Sequence, residues 1–109
     1  MLELNFSYNW NNKLDCKVFT TLRLSNRFEI NNSIKITLNK KEIGYGKIIG
    51  KKSFKLKDIN DWVAYIDTGY NAEKCKNILK KMYKNKNINW NEQIIYFYLI
   101  EKIKEVNNG

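Results

Sequence analysis

The chain has 109 residues, of which 43% are apolar, and it carries a formal net charge of +9 with no histidine. This length predicts one domain, 1–109, that can bury a core, and the apolar share argues against disorder. With no histidine and two cysteines, the chain lacks the ligands of a structural zinc site and the base of a Ser–His–Asp or Cys–His nucleophile.

The first half of the chain alternates apolar and polar residues, which is the pattern of half-buried strands. It predicts strands over 2–8 and 34–38, and the stretch 17–24, which is rich in β-forming residues, predicts another strand between them. A fourth strand, 42–49, follows an Asn-Lys turn and should form a hairpin with the third, and 53–56 predicts a short further strand. These strands are expected to form one small sheet.

Two helices are predicted to follow the strands. Asp58 is a candidate N-cap for a helix over 59–66, which should end at Gly69, a residue suited to the left-handed conformation. Asn71 is the candidate N-cap of a second helix, 72–83, whose apolar residues recur at the i, i+3, i+4, i+7 spacing. One face of this second helix should therefore pack on the sheet.

The last element is a strand over 93–103, which is apolar at both odd and even positions. Such a strand is typical of the centre of a sheet that is covered on both faces. Trp62 has helical spacing with other apolar residues, so we expect its ring in the core. The order of elements predicts an α+β fold, a small curved sheet or open barrel with helices at one side.

Three stretches resemble the ASCH family of PUA-like domains. The sequence KVFTTLR over 17–23 resembles the first signature of that family. The stretch 56–83 resembles the helical insert of small ASCH proteins, and 94–103 resembles their last strand. The resemblance implies a PUA-like β pseudo-barrel of about five or six strands, with two helices inserted before the last strand. It also implies a cleft that receives RNA or a modified nucleotide.

The predicted strand over 17–24 has two faces. One face carries an ammonium, an aromatic ring, a hydroxyl and a guanidinium, namely Lys17, Phe19, Thr21 and Arg23. The even-numbered residues, from Val18 to Leu24, form the better core face. The first face suits a ligand with a flat base and a phosphate or carbonyl oxygen, because arginine pairs with such oxygens and aromatic rings stack on bases. The alternative is an exposed polar face with Arg23 in a surface ion pair.

Some small ASCH proteins are similar to amidohydrolases that remove an acetyl group from acetylcytidine with a lysine, a threonine and a carboxylate. Here Thr21 and Arg23 match the Thr-x-Arg of that pattern. Lys17 lies one position from the family's lysine, and Asp67 lies one position from its carboxylate. The resemblance thus implies catalytic roles for Lys17, Thr21 and Asp67. Since a slip of one residue turns a strand side chain to the other face, we expect a binding module first, with the amidohydrolase as the alternative.

Aromatic and basic residues elsewhere are further candidates for ligand contacts. Tyr70 and Trp90 are candidates for stacking on a base, although turn geometry and cover for one end of the sheet explain them equally well. Six lysines are candidates for phosphate contacts, namely Lys40, Lys41, Lys51, Lys52, Lys80 and Lys84. The alternative is a solvated surface whose lysines reflect the codons of an AT-rich bacterial or phage genome.

The expected partner is therefore RNA or a nucleotide-like ligand, with no metal and no cofactor. A third hypothesis is a phage-encoded protein that binds and inhibits a host protein through its basic surface. The first ten residues lack the basic and apolar regions of a secretory leader, and no apolar run is long enough to span a membrane. We accordingly expect a cytoplasmic protein with Cys16 and Cys75 reduced.

Overall fold

The computed structural model describes residues 1–104 of the chain as one five-stranded mixed sheet with two α-helices. These elements are β1 (Leu2–Phe6), β2 (Val18–Arg23), β3 (Ser33–Leu38), β4 (Lys41–Lys55), α1 (Asp61–Thr68), α2 (Ala72–Met82) and β5 (Ile94–Ile103). Short 3-10 helices, Trp10–Asp15 and Leu56–Asp58, follow β1 and β4. The α+β class is confirmed, with both α-helices between β4 and β5.

The sheet has the strand order β1-β3-β4-β5-β2, which leaves β1 and β2 as its two edges. β1 runs parallel to β3, and the other neighbouring pairs are antiparallel. The edge strands meet through side chains, because the rings of Phe6 on β1 and Phe19 on β2 lie 5.9 Å apart in an edge-to-face contact. The sheet is thus curled, and its two edges meet at a seam that backbone hydrogen bonds do not close.

Strand β2 contributes to two separate hydrophobic cores, one on each face of the sheet. Phe19 packs inside the curl with residues of β1, β3, β4 and β5. Leu22 packs on the other face, against the helices. The expectation that one face of this strand would be core and the other open is therefore wrong, because Phe19 is buried and Val18 is exposed. A strand at the seam of a curled sheet that also carries helices is covered on both sides.

Strand β4 is one continuous strand of 15 residues, where the sequence predicted two shorter ones. It pairs with β3 through its first part and with β5 along its length. The register shifts between Ile48 and Gly50, so a bulge lies where the predicted strand 42–49 was expected to end, and the strand continues through it. Gly46 permits the close approach of β5, because a Cβ atom there would lie 2.7 Å from Cγ2 of Ile100.

The caps of the two helices are formed by asparagines. The side chain of Asn71 accepts a hydrogen bond from the backbone of Lys74, as predicted for α2. For α1 the cap is Asn60, which accepts from Val63. The expected cap, Asp58, instead belongs to the preceding 3-10 turn, where its carboxylate accepts from the backbone of Lys55. The start of α1 is therefore later than predicted.

Helix α1 packs on the sheet through its small and polar residues. Its buried side chains are Ala64, Asp67 and Thr68, which share one face at helical spacing. Trp62 lies outside that face and is 80% exposed, so its predicted place in the core is wrong. This polar face can turn inward because Asp67 accepts hydrogen bonds there from the side chains of Lys13 and Thr20.

Both cysteines are free thiols, Cys16 on the surface and Cys75 in the core between α2 and the sheet. Within residues 1–104, no helix is long and apolar enough to cross a membrane. The same residues contain no group of three or more acidic or cysteine side chains that could hold a metal ion.

Candidate functional site

A pocket of about 240 Å³ lies at the seam between the two edge strands. We call it the seam pocket. The end of β1, the first 3-10 helix, β2, the end of α1 and one face of α2 all contribute to its wall. Its polar or charged lining side chains include Lys13, Thr21, Arg23, Asp67 and Thr68. The volume is slightly below the roughly 300–1,000 Å³ of pockets for drug-sized molecules, so it suits one small ligand.

A buried ion pair forms part of the pocket wall. Nζ of Lys13 donates a hydrogen bond to Oδ1 of Asp67 over 3.0 Å, and both side chains are 6% exposed. The hydroxyl of Thr20 donates to the same oxygen over 2.9 Å. Removing two charges from water is costly unless both are paired, and here each is satisfied by the other. The pair therefore fixes the first 3-10 helix against α1.

Local backbone geometry brings Lys13 to this position. Asn11 and Asn12 both adopt the left-handed conformation, with φ of 57° and 52°. Asparagine tolerates this conformation better than most residues because its short polar side chain can bond locally. The side chain of Asn9 also accepts a hydrogen bond from the backbone of Leu14 over 2.9 Å. The Asn-rich segment after β1 thus forms a tight helical turn that directs Lys13 inward.

The Lys13 amine is more easily neutralised than a surface lysine. Burial lowers its pKa, and the nearby Arg23 charge acts in the same direction, whereas Asp67 opposes both by its charge and its hydrogen bond. The desolvation of the ammonium is the largest of these effects. Lowered lysine pKa values of this kind allow an amine to exchange protons with a ligand.

Arg23 is the second cation of the pocket wall, and it is half-buried. Its Nε donates to the Thr21 hydroxyl over 2.9 Å, and its guanidinium carbon lies 4.7 Å from the centre of the Phe6 ring. No carboxylate in residues 1–104 lies within 4.0 Å of its nitrogens. Arginine stays charged at neutral pH, so a partly desolvated cation faces the pocket without a direct anionic partner.

Aromatic rings surround the mouth of the pocket. The rings of Tyr8 and Trp10 lie 4.6 Å apart, and both line the pocket. Two rings outside the lining support those of the pocket: the ring centroids of Trp10 and Tyr70 lie 6.4 Å apart, and those of the lining residue Tyr83 and of Trp90 also lie 6.4 Å apart. Edge-to-face contacts of this kind hold the rings in fixed orientations. The mouth therefore offers flat, rigid surfaces beside the buried charges.

Cys75 lies beneath this site but is not a nucleophile. It is fully buried, and burial raises the pKa of its thiol to about 11, with Asp67 contributing in the same direction. A thiol with so high a pKa remains protonated at neutral pH, whereas the thiolate is the reactive form.

The structure brings three of the sequence-predicted residues together and separates the others. Thr21, Arg23 and Asp67 all line the seam pocket. Phe19 is buried in the inner core, where its ring packs against Phe6. Lys17 is exposed, and the pocket's basic amine is supplied by Lys13.

The two aromatic candidates lie outside the seam pocket. Tyr70 borders a shallow depression on α2, where the Lys74 ammonium lies 4.0 Å from its ring centre. Trp90 packs on the core between the helices and the sheet. This contact places Trp90 in the role of a cover for that core.

The six lysines predicted to contact phosphate do not line the seam pocket. Lys51 is engaged elsewhere, since its ammonium donates to the Asn26 side chain and forms a 3.1 Å ion pair with Glu29. The remaining five, Lys40, Lys41, Lys52, Lys80 and Lys84, are exposed.

Lys13 and Thr20, the two hydrogen-bond partners of Asp67, were not indicated by the sequence. Lys13 stands in an Asn-rich stretch that resembles a loop, and its partner Asp67 follows 54 residues later. The sequence around Lys13 carries no periodic signal for burial. Thr20 was assigned to the core face, which is correct, but its hydroxyl bond to Asp67 depends on the placement of α1.

Comparisons with known proteins support the fold. No family model matches the chain, and no curated protein matches its sequence significantly. Among solved structures, the chain is similar to the crystal structure of protein EF3133 from Enterococcus faecalis V583, which is described by the family DUF984. The TM-score is 0.65 at 5% sequence identity, over 91% of this chain and 72% of that one. At this identity the likeness shows a shared small α+β fold.

Proposed function

We propose that the seam pocket binds a nucleoside or nucleotide, either free or within an RNA strand. The observation that carries this proposal is the half-buried guanidinium of Arg23, which faces the pocket with no carboxylate of residues 1–104 within 4.0 Å. A desolvated cation of this kind is stabilised by an oxygen acceptor on a ligand. Arginine forms bidentate hydrogen bonds with the oxygens of phosphates and base edges.

The shape and lining of the pocket agree with a flat ligand. Trp10 and Tyr83 both line the pocket, and a base could stack on either ring. We also propose that the curled sheet with its two inserted helices is a PUA-like fold of the ASCH type. The signature residues Thr21 and Arg23 and the position of the helices before β5 support that assignment.

Binding can be tested with the native protein and a panel of nucleosides and nucleoside monophosphates, by calorimetry and by mass spectrometry of co-purifying molecules. Arg23→Ala should weaken binding roughly 10–100-fold, since a hydrogen bond to a charged group contributes about 1.5–3 kcal/mol. Its free energy of unfolding should fall by only about 1 kcal/mol, from the lost bond to Thr21.

The matched control is Lys17→Ala, which removes an exposed cation that does not line the pocket. It should leave both affinity and stability unchanged. A pocket that retains no nucleotide during purification and binds no member of the panel would exclude this function. A loss of several kcal/mol of stability in Arg23→Ala would instead assign the arginine a structural role.

A second candidate function is hydrolysis of an acylated nucleoside, as in the ASCH-like amidohydrolases. The observation that favours it is that Lys13, Asp67, Thr21 and Thr68 all line the pocket, with Lys13 and Asp67 in an ion pair. Lys13 loses its proton more readily than a surface lysine, and in its neutral form the amine can take a proton from a water molecule, whose hydroxide then adds to the acyl carbon. The carbon–nitrogen bond breaks, the nucleoside amine takes up a proton, and acetate is released.

Acetate release from acetylcytidine measures this activity directly. If the cluster is catalytic, Lys13→Met should abolish turnover, while Lys17→Met should not change it, because Lys17 lies away from the pocket. Turnover that survives Lys13→Met, or the absence of turnover in the native protein, would exclude catalysis by this cluster. Ligand binding would then be the remaining proposed function.

A further inference from the structure

A second pocket of about 570 Å³ adjoins the seam pocket and shares part of its wall. We call it the arginine pocket. Both pockets are lined by Asn5, Arg23 and Tyr83, so they are adjacent and Arg23 borders both. The arginine pocket is also lined by Arg27 and Lys86.

Both arginines of the chain line this pocket. The other 18 of the chain's 20 basic residues are lysines. Neither arginine forms an ion pair within residues 1–104, and Glu3 is the single carboxylate among the lining residues. Arg27 lies with its guanidinium 5.5 Å from the centre of the Phe28 ring, which leaves its nitrogens available for a ligand.

The charges of the two guanidinium groups oppose each other. Burial lowers the pKa of Arg23 and the charge of Arg27 lowers it further, whereas Tyr83 and Asp67 act in the opposite direction. Arg23 is half-buried and Arg27 is exposed, so in the empty protein the repulsion acts mainly on the partly desolvated guanidinium of Arg23. An anion bound between them would relieve this repulsion and would accept hydrogen bonds from both planar donors.

We propose that Arg23 and Arg27 form a phosphate subsite beside the seam pocket, so that the ligand is a phosphorylated nucleoside rather than a free nucleoside or base. Lys86 supplies a third positive charge at the outer side of this subsite. The proposal rests on the proposed function for the identity of the base-binding part, but the phosphate subsite itself can be tested alone. The phosphate could belong to a free nucleotide or to the backbone of an RNA strand.

The test compares the affinity of one nucleoside with that of its monophosphates and of a short oligoribonucleotide that contains it. The native protein should bind a monophosphate roughly 10–100-fold more tightly than the nucleoside, the contribution of hydrogen bonds to a charged group. Arg27→Ala should remove this preference while leaving nucleoside affinity unchanged. Arg27→Lys should keep only part of the preference for the monophosphate, because an ammonium cannot form the bidentate contact of a guanidinium.

The matched control is Lys47→Ala, which removes an exposed charge on β4 that lines neither pocket. It should keep the full preference for phosphate. Tighter binding of the oligonucleotide than of either monophosphate would assign the subsite to a strand backbone, and equal binding would assign it to a free nucleotide. Equal affinity for nucleoside and monophosphate, or equal weakening of both by Arg27→Ala, would overturn the proposal.

If no nucleoside binds, inorganic pyrophosphate serves as the probe. Stabilisation of the native protein by pyrophosphate, lost in Arg27→Ala and kept in Lys47→Ala, would support the phosphate subsite while the proposed function fails. The absence of any effect of pyrophosphate in that case would overturn both.

Discussion

The basic residues of this protein occupy two contrasting environments. Lys13 and Arg23 lie in the wall of the seam pocket, where both have lowered pKa values because burial removes them from water. The lysines of β4, such as Lys41, Lys47 and Lys52, stand exposed on the surface. The net charge of +9 counts both groups equally. The comparison shows that the position of a charge, more than the sum of charges, indicates where a ligand binds.

The difference has a physical cause. An exposed ammonium keeps its hydration and is screened by salt beyond about 8–10 Å, so it contributes little to any one contact. A buried cation loses hydration and must be compensated by a protein group or a ligand. Lys13 is compensated by Asp67, whereas Arg23 has a hydroxyl and a ring as its close neighbours. This incomplete compensation makes Arg23 the central residue of the proposed site.

The largest effect should come from breaking the buried ion pair. Asp67→Asn removes the charge that compensates Lys13, so the free energy of unfolding should fall by about 3–5 kcal/mol in urea titrations. The control is Glu92→Gln, which breaks an exposed pair with Lys55 and should cost about 1 kcal/mol or less. Similar losses in both variants would mean that the buried and exposed cations do not differ in energy.

A smaller effect should appear in the pH dependence of stability. The Cys75 thiol has its pKa raised from the ordinary value of 9.0 to about 11. Between pH 9 and about 11 the unfolded chain loses this proton while the folded protein keeps it, so stability falls as pH rises through this range. Cys75→Ala should make that decline shallower, as measured by urea titrations at several pH values.

The matched variant is Cys16→Ala, because that cysteine is exposed. It should retain the full alkaline decline. In addition, a thiol reagent should modify Cys16 in the folded protein and Cys75 only after unfolding. An unchanged slope in Cys75→Ala would show that the region beneath the pocket is accessible to water.

The smallest effects should come from the surface lysines. Lys41→Ala and Lys52→Ala should change the free energy of unfolding by less than about 0.5 kcal/mol, as is usual for exposed positions. The affinity for a nucleoside monophosphate should also stay within about twofold at about 0.15 M salt, because exposed charges are screened there. A fivefold or greater loss would restore the phosphate-contacting role that the sequence suggested for these lysines.

Most of the elements could be predicted from the sequence because their signals are local. Alternation predicted β1 and β3, the β-forming residues of 17–24 predicted β2, and the stretch that is apolar at odd and even positions predicted β5 at Ile94–Ile103. Asn71 and Gly69 marked the start of α2 and the end of α1, because an N-cap and a left-handed residue act on the adjacent turn of helix. The predicted strand over 42–49 stopped at the bulge in β4, because the pairing that carries the strand on to Lys55 is made with β5, which is distant in sequence.

The site could be predicted only in part. Thr21, Arg23 and Asp67 were named from the sequence, and the structure places all three at one pocket. Lys13 was missed and Lys17 was named in its place, because the burial of a lysine depends on a carboxylate distant in sequence. Phe19 was predicted to contact the ligand, but its side chain is buried in the inner core. The sequence did not indicate this burial, because the inner face of β2 is covered only when the sheet curls.

By itself, therefore, the sequence determined the class of fold, the order of its elements and the presence of an arginine and a threonine on one strand. Periodicity and capping require only neighbours within a few residues, which the chain supplies before it folds. The tertiary structure alone decided which lysine is buried, which face of α1 turns inward and which pocket the two arginines share. These depend on contacts between residues far apart in sequence, such as Lys13 and Asp67, and no local pattern encodes them.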